Sequence, residues 1–82
     1  MNRVVPHQEL MKTAVDFAAK LADGPPVALA LTKFLAYKGL NNDIPSQRFL
    51  EGWAGQTARK TEDFKEAINA YMEKRKPKFK GV

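Results

Sequence analysis

The sequence predicts an all-α fold of four short helices in a single unit covering residues 1–82. Three observations predict it. Apolar residues recur at spacings of one, three and four in four separate segments, which is the signature of one face on a 3.6-residue helix. Strong breakers stand between or after those segments: Gly24-Pro25-Pro26, Lys38-Gly39-Leu40-Asn41-Asn42 and Pro77. No strand has a partner, since Val4 and Val5 are followed at once by Pro6. The connections are only a few residues long, which favours sequential helices packed against one another.

Arg3 to Pro6 is an extended lead-in, because proline keeps Val5 out of the helical region. It is either a frayed end or the tail of an upstream element. The first helix is expected over residues 7–23, with Leu10, Met11, Ala14, Phe17, Ala18 and Leu21 on its apolar face. Glu9 in its first turn suits the helix dipole, and Lys12 and Asp16 are placed to pair on the wet side. Gly24 and the two prolines stop it. The second helix is expected over 26–37, with Pro26 comfortable in the first turn. Val27, Ala28, Leu31, Phe34 and Leu35 form its face, and its alanines let another helix approach closely. Lys33 lays its stem along that surface.

The third helix is expected over 44–59, capped by either Asp43 or Ser46, with Phe49, Leu50, Trp53 and Thr57 inward. Gly52 and Gly55 weaken it by up to about 1 kcal/mol each. They mark either a close backbone neighbour or an open surface. The fourth helix is expected over 61–76. Thr61 caps it, Glu62 and Asp63 match its dipole, and Phe64, Ala67, Ile68, Tyr71 and Met72 form its face. Its acids have no basic residue four positions on, so packing is expected to hold it. Pro77 ends it. Phe79, alone between two lysines, is expected to fold back or dock.

Eighty-two residues bury little surface, and without cysteine no disulfide compensates. One histidine and no cysteine exclude the common structural zinc sites. A partner is the remaining remedy. The 44% apolar content argues against disorder, and no apolar run reaches the length of a membrane span. Met1 to Pro6 lacks a signal peptide's apolar core, so the cytoplasm or an organelle matrix is the expected compartment. The net charge of +5 permits anion contact. No nucleic-acid motif accompanies it, and nucleic acid is not an expected partner.

No complete catalytic set is present. The nine carboxylates fall on polar faces, at caps or in turns, and the Asp63/Glu66 pair is accounted for by the dipole. His7 stands alone at a helix start, where a capping or surface role is expected. There is no glycine-rich phosphate loop. The one candidate site is basic. Lys74, Arg75, Lys76, Lys78 and Lys80 place five positive charges in seven residues, and Tyr71 lies one turn before Arg75. A cation beside an aromatic suits a flat, phosphorylated group. The same charges also fit a helix end obeying its dipole, followed by a solvated tail.

The order of short words along the chain resembles the C-terminal region of the enoyl-CoA hydratase/isomerase family, also called the crotonase family. The words are Asn2-Arg3-Val4-Val5-Pro6, Glu9-Leu10, Ala14, Ala18-Ala19-Lys20-Leu21-Ala22, Gly24-Pro25-Pro26, Ala28 and Leu31-Thr32-Lys33. They end with Thr61-Glu62-Asp63-Phe64-Lys65-Glu66, Ala70-Tyr71 and Glu73-Lys74-Arg75-Lys76-Pro77-Lys78-Phe79-Lys80-Gly81. The resemblance implies a parent with a large strand–strand–helix domain followed by helices that build a trimer and cover the acyl-CoA site. Its oxyanion hole and catalytic glutamates would lie in the large domain, outside these residues. It also implies that Tyr71 and Lys74 lie near the adenine and phosphates of coenzyme A; Arg75, from the basic cluster, is a further candidate contact. The family often has an aromatic at the position of Gly55 and glycine at that of Ala67, so the resemblance leaves the acyl-chain length open. It implies no tightly bound cofactor, only a CoA thioester as the parent's substrate, and an isolated chain without activity. The alternative expectation is a free-standing helical oligomerisation module.

Overall fold

The computed structural model describes residues 3–82. Met1 and Asn2, the latter the first residue of the family-like words, lie outside the described residues. A single 3-10 turn at His7–Glu9 leads into α1, Leu10–Ala22. Three further helices follow: α2 at Pro26–Lys38, α3 at Ile44–Arg59 and α4 at Glu62–Met72. Among the described residues there is no strand.

The boundaries follow local chemistry. The Glu9 amide closes a tight turn onto the Pro6 carbonyl at 2.9 Å, so the expected start at His7 is 3-10 and the α-helix proper begins at Leu10. Between the two candidate caps of α3, Asp43 does the work: its Oδ1 accepts from the Ser46 amide at 3.2 Å. The Ser46 side chain first, and its amide second, hold the Asp43 carboxyl below its ordinary value. Thr61 has two roles at the α3–α4 corner. Its hydroxyl accepts from the Phe64 amide at 3.1 Å and donates to the Ala58 carbonyl at 2.7 Å. Gln47 ties α3 to the end of α2, donating to the Leu35 carbonyl at 3.0 Å. A Cβ on Gly39 would stand 3.3 Å from that same Gln47 nitrogen, so the glycine leaves room for the tie.

The fourth helix departs from expectation. It ends at Met72 rather than residue 76, before Pro77 has any say. The Arg75 amide donates back to Ala70 at 2.9 Å and the Lys74 amide to Tyr71 at 3.2 Å, while Lys74 takes φ of +54°. This is a Schellman turn with lysine in the left-handed position that glycine usually fills.

Packing departs further. The main helix pair is α2 with α3, where Phe34 meets Trp53 edge to face at 6.5 Å, and α3 also meets α4. Yet the only buried apolar residues among those described are Ala54 and Ala70. Several large side chains assigned inward by their spacing are open, Phe17 at 51%, Phe49 at 76% and Trp53 at 49%, while Leu31, Leu35 and Leu50 are half-buried. The principal extents are 43 × 39 × 18 Å and the radius of gyration is 15.9 Å. A compact chain of this length would have roughly 12 Å. The accessible surface of 7230 Å² exceeds the roughly 4,900 Å² expected of a compact monomer of this mass. The helices therefore form a thin plate with apolar faces uncovered. Among the described residues Lys12 and Asp16 form no ion pair. Gly52 and Gly55 have no neighbour within 4 Å of an added Cβ, so within this chain they are open surface.

Candidate functional site

The basic cluster sits where α4 ends and the chain turns back along it. Tyr71, at the last turn, is 83% exposed. Lys74 follows as the left-handed residue of the turn, also exposed, and forms no ion pair among the described residues. Arg75 is different. Its guanidinium holds both oxygens of Glu66, at 2.6 and 2.9 Å, and its Nε donates to Glu73 at 2.6 Å. These bonds raise the Arg75 pKa further above its ordinary value, the Glu66 contact first. Lys76 lies 3.6 Å from Asp23 at the end of α1. The five clustered cations are thus sorted: Arg75 and Lys76 face carboxylates, while Lys74, Lys78 and Lys80 form no ion pair among the described residues.

The tail after the turn is fixed by the acids of α4. Glu66 Oε2 accepts from the Lys78 amide at 2.9 Å. Arg75 and that amide together hold the Glu66 carboxyl down to about 2. Asp63, 3% exposed, accepts from the Lys80 amide at 2.7 Å and the Gly81 amide at 2.8 Å. In return the Asp63 amide donates to the Val82 carbonyl at 3.0 Å. Gly81 makes the strap possible, with φ of +80° and Pro26 Cγ 3.4 Å from the site of a Cβ. Phe79, as expected, is drawn in; it is half-buried and shares a hollow with Ala22, Asp23 and Pro77.

The sequence reading missed Asp63 and Glu66, which it assigned to the dipole alone. Their partners lie 9 to 18 residues away in the chain, beyond any helical spacing. The usable signal was a pair of acids on one helix followed by a basic, proline-broken tail. Among the described residues no group of three or more potential metal-ligating side chains converges. Among the described residues no helix is long and apolar enough to cross a membrane.

Comparison with known proteins gives this geometry its context. The family model for enoyl-CoA hydratase/isomerase matches residues 1–82. The chain is 40% identical over 76 residues to the short-chain-enoyl-CoA hydratase of Clostridium acetobutylicum, covering 93% of this chain and 29% of that protein. It is 44% identical over 68 residues to a probable enoyl-CoA hydratase of Rhodobacter capsulatus, covering 78% of this chain and 25% of the relative. Its fold superimposes on an enoyl-CoA hydratase from Bacillus anthracis with a TM-score of 0.91 at 33% identity, over 96% of this chain and 31% of that one. The chain thus spans less than a third of the length of the relatives it matches. Sequence, fold and the order of the helices agree: the chain belongs to the enoyl-CoA hydratase/isomerase family, as an all-helical C-terminal region without the large α/β domain.

Proposed function

We propose that this chain is the CoA-holding, assembly-forming part of an acyl-CoA hydratase or isomerase. Tyr71 offers a flat face for the adenine, and Lys74 offers an ammonium to the phosphates. The observation that carries the reading is the sorting of the cations. Lys74 is exposed, its amide is bonded to the carbonyl of the exposed Tyr71, and among the described residues it forms no ion pair, whereas Arg75 is occupied by Glu66 and Glu73. Arg75, a contact candidate on sequence grounds, thereby becomes support for the turn. The parent reaction is reversible addition of water across an enoyl thioester. The polar groups that perform it belong to the large domain, so the 82 residues alone are inactive.

The uncovered surface supports the second half of the reading. Roughly 2,300 Å² beyond a compact monomer's surface is of the order that one partner contributes to a large obligate interface. We assign the faces of α1, α2 and α3 to the large domain and to neighbouring subunits of a trimer-based assembly. The test starts with the mass of the protein in its source cells. A species much larger than 9.2 kDa is expected. On the polypeptide at that length, Tyr71→Ala and Lys74→Gly should each weaken CoA binding about tenfold, a loss near 1.4 kcal/mol. Unchanged CoA affinity in both variants would overturn the contact assignment. Hydration of crotonyl-CoA by the purified 82-residue chain would overturn the inactivity.

The open apolar faces also favour a second reading, a free-standing helical oligomerisation module. That reading requires a 9.2 kDa species in cells whose sedimentation mass rises with concentration.

A further inference from the structure

A left-handed lysine is an unusual way to end a helix. The conformation puts Cβ close to the following carbonyl, and glycine avoids that cost. Non-glycine residues persist there when their surroundings over-determine them. Around Lys74 the surroundings do so from both sides. The residue before it, Glu73, and the residue after it, Arg75, are joined to each other by a 2.6 Å ion pair. The Arg75 backbone is fixed to Ala70. Its side chain is gripped by both oxygens of Glu66, and the same carboxylate takes the Lys78 amide. Glu66 therefore spans the turn. It holds the chain on the far side of Lys74 at two points, residues 75 and 78, against a helical turn that ends only six residues after Glu66 itself.

We propose that Glu66 is a positioning residue: by holding the Arg75 guanidinium and the Lys78 amide, it fixes the left-handed turn that presents Lys74 beside Tyr71 to the phosphates of coenzyme A. This rests on the CoA reading of Tyr71 and Lys74 and adds a residue that touches no ligand. Arg75 has a planar fork that matches a carboxylate bidentately, which a lysine in its place would lack. The division of labour follows. The guanidinium is consumed in a structural pair, and the neighbouring ammonium is left for the anion.

Positioning and simple electrostatics predict opposite signs, which makes the test sharp. Glu66→Gln removes a negative charge near the site and releases Arg75. If charge alone mattered, CoA would bind more tightly. If Glu66 positions Lys74, CoA binding weakens, by about threefold to fivefold against the tenfold loss in Lys74→Gly. The two losses should also share one cause. In a Lys74→Gly background, Glu66→Gln should cost nothing further, because glycine tolerates the turn unaided and there is no ammonium left to place. The titrations use CoA and the polypeptide at the length found in cells.

Unchanged or tighter binding in Glu66→Gln overturns the proposal and leaves the CoA reading standing. So does a loss that persists undiminished in the Lys74→Gly background, since general destabilisation would act whether or not Lys74 is present. No effect of Lys74→Gly on CoA affinity removes Lys74 from the CoA contact, and the proposal with it. If Glu66→Gln lowers the helix content by circular dichroism, Arg75→Lys decides instead. It keeps the charge and loses the fork, and it should weaken CoA binding in the wild-type background only.

Discussion

Helix α4 with its tail, and helix α1, solve the problem of being small in different ways. In α4 the two carboxylates Asp63 and Glu66 collect three tail amides and a guanidinium, and Asp63 is almost fully buried by the strap it holds. In α1 no residue is buried, and Leu10, Met11, Val15, Phe17 and Leu21 are all exposed. The first region is held by directional contacts within the chain. The second carries a well-formed apolar stripe whose large side chains stay exposed among the described residues. Helix α2 lies between these cases. Its residues are apolar on several sides, a composition suited to a helix enclosed in a larger body, yet Leu29 and Phe34 are open at 36% and 40%. The difference teaches that polar ties with exact partners can fix structure locally, whereas an amphipathic helix gains most of its stability from a surface to cover.

Acid should separate the two regions most completely. Glu66 is held down to about 2, so the latch it forms is fully present above the ordinary carboxylate pKa. It is lost as the pH falls through the folded value. Amide exchange should show Lys78 protected from neutrality down to roughly pH 4.5 and progressively released toward pH 2. Release already near pH 6 would mean that the carboxylate does not hold the tail. The Asp43 cap follows the same sign, because its carboxyl is also lowered.

Next in size is Asp63→Ala. It strands the Lys80 and Gly81 amides and should loosen the tail by about 2 kcal/mol. The readout is loss of exchange protection at residues 80 and 81 with α2 and α3 unaffected. Tail protection equal to wild type would show that the buried carboxylate is incidental. Gly52→Ala probes α3 and should stabilise the isolated chain by up to about 1 kcal/mol, because an added methyl meets only open space. Destabilisation in thermal unfolding of the 82-residue chain would show that a copy of the chain packs there.

The smallest expected change is at Phe17. It is already half exposed, and alanine is the better helix former, so Phe17→Ala should alter the stability of the 82-residue chain by less than about 1 kcal/mol. A buried phenylalanine would cost about 3–5 kcal/mol. A loss of that size in the short chain would place a cover over α1 and break the contrast with α4.

Local chemistry in the sequence determined where the helices lie. Periodic apolar residues, the Gly24-Pro25-Pro26 stop and the Thr61 cap act within one or two turns, and α2 and α3 run close to where those signals put them. The family words were equally legible, and with them Tyr71 and Lys74 as candidates for the proposed CoA contact. Spacing identified which side of each helix is apolar, but it carried no information about whether anything covers that side. Only the tertiary structure decided that two alanines, rather than the aromatics, form the buried apolar contacts. It alone decided that α4 ends on a left-handed lysine, because the choice depends on bonds from Arg75 back to Ala70 and across to Glu66. It likewise divided one run of basic residues into structural and exposed cations. Adjacent residues share a sequence neighbourhood, but which carboxylate each one meets is set by how the chain folds back.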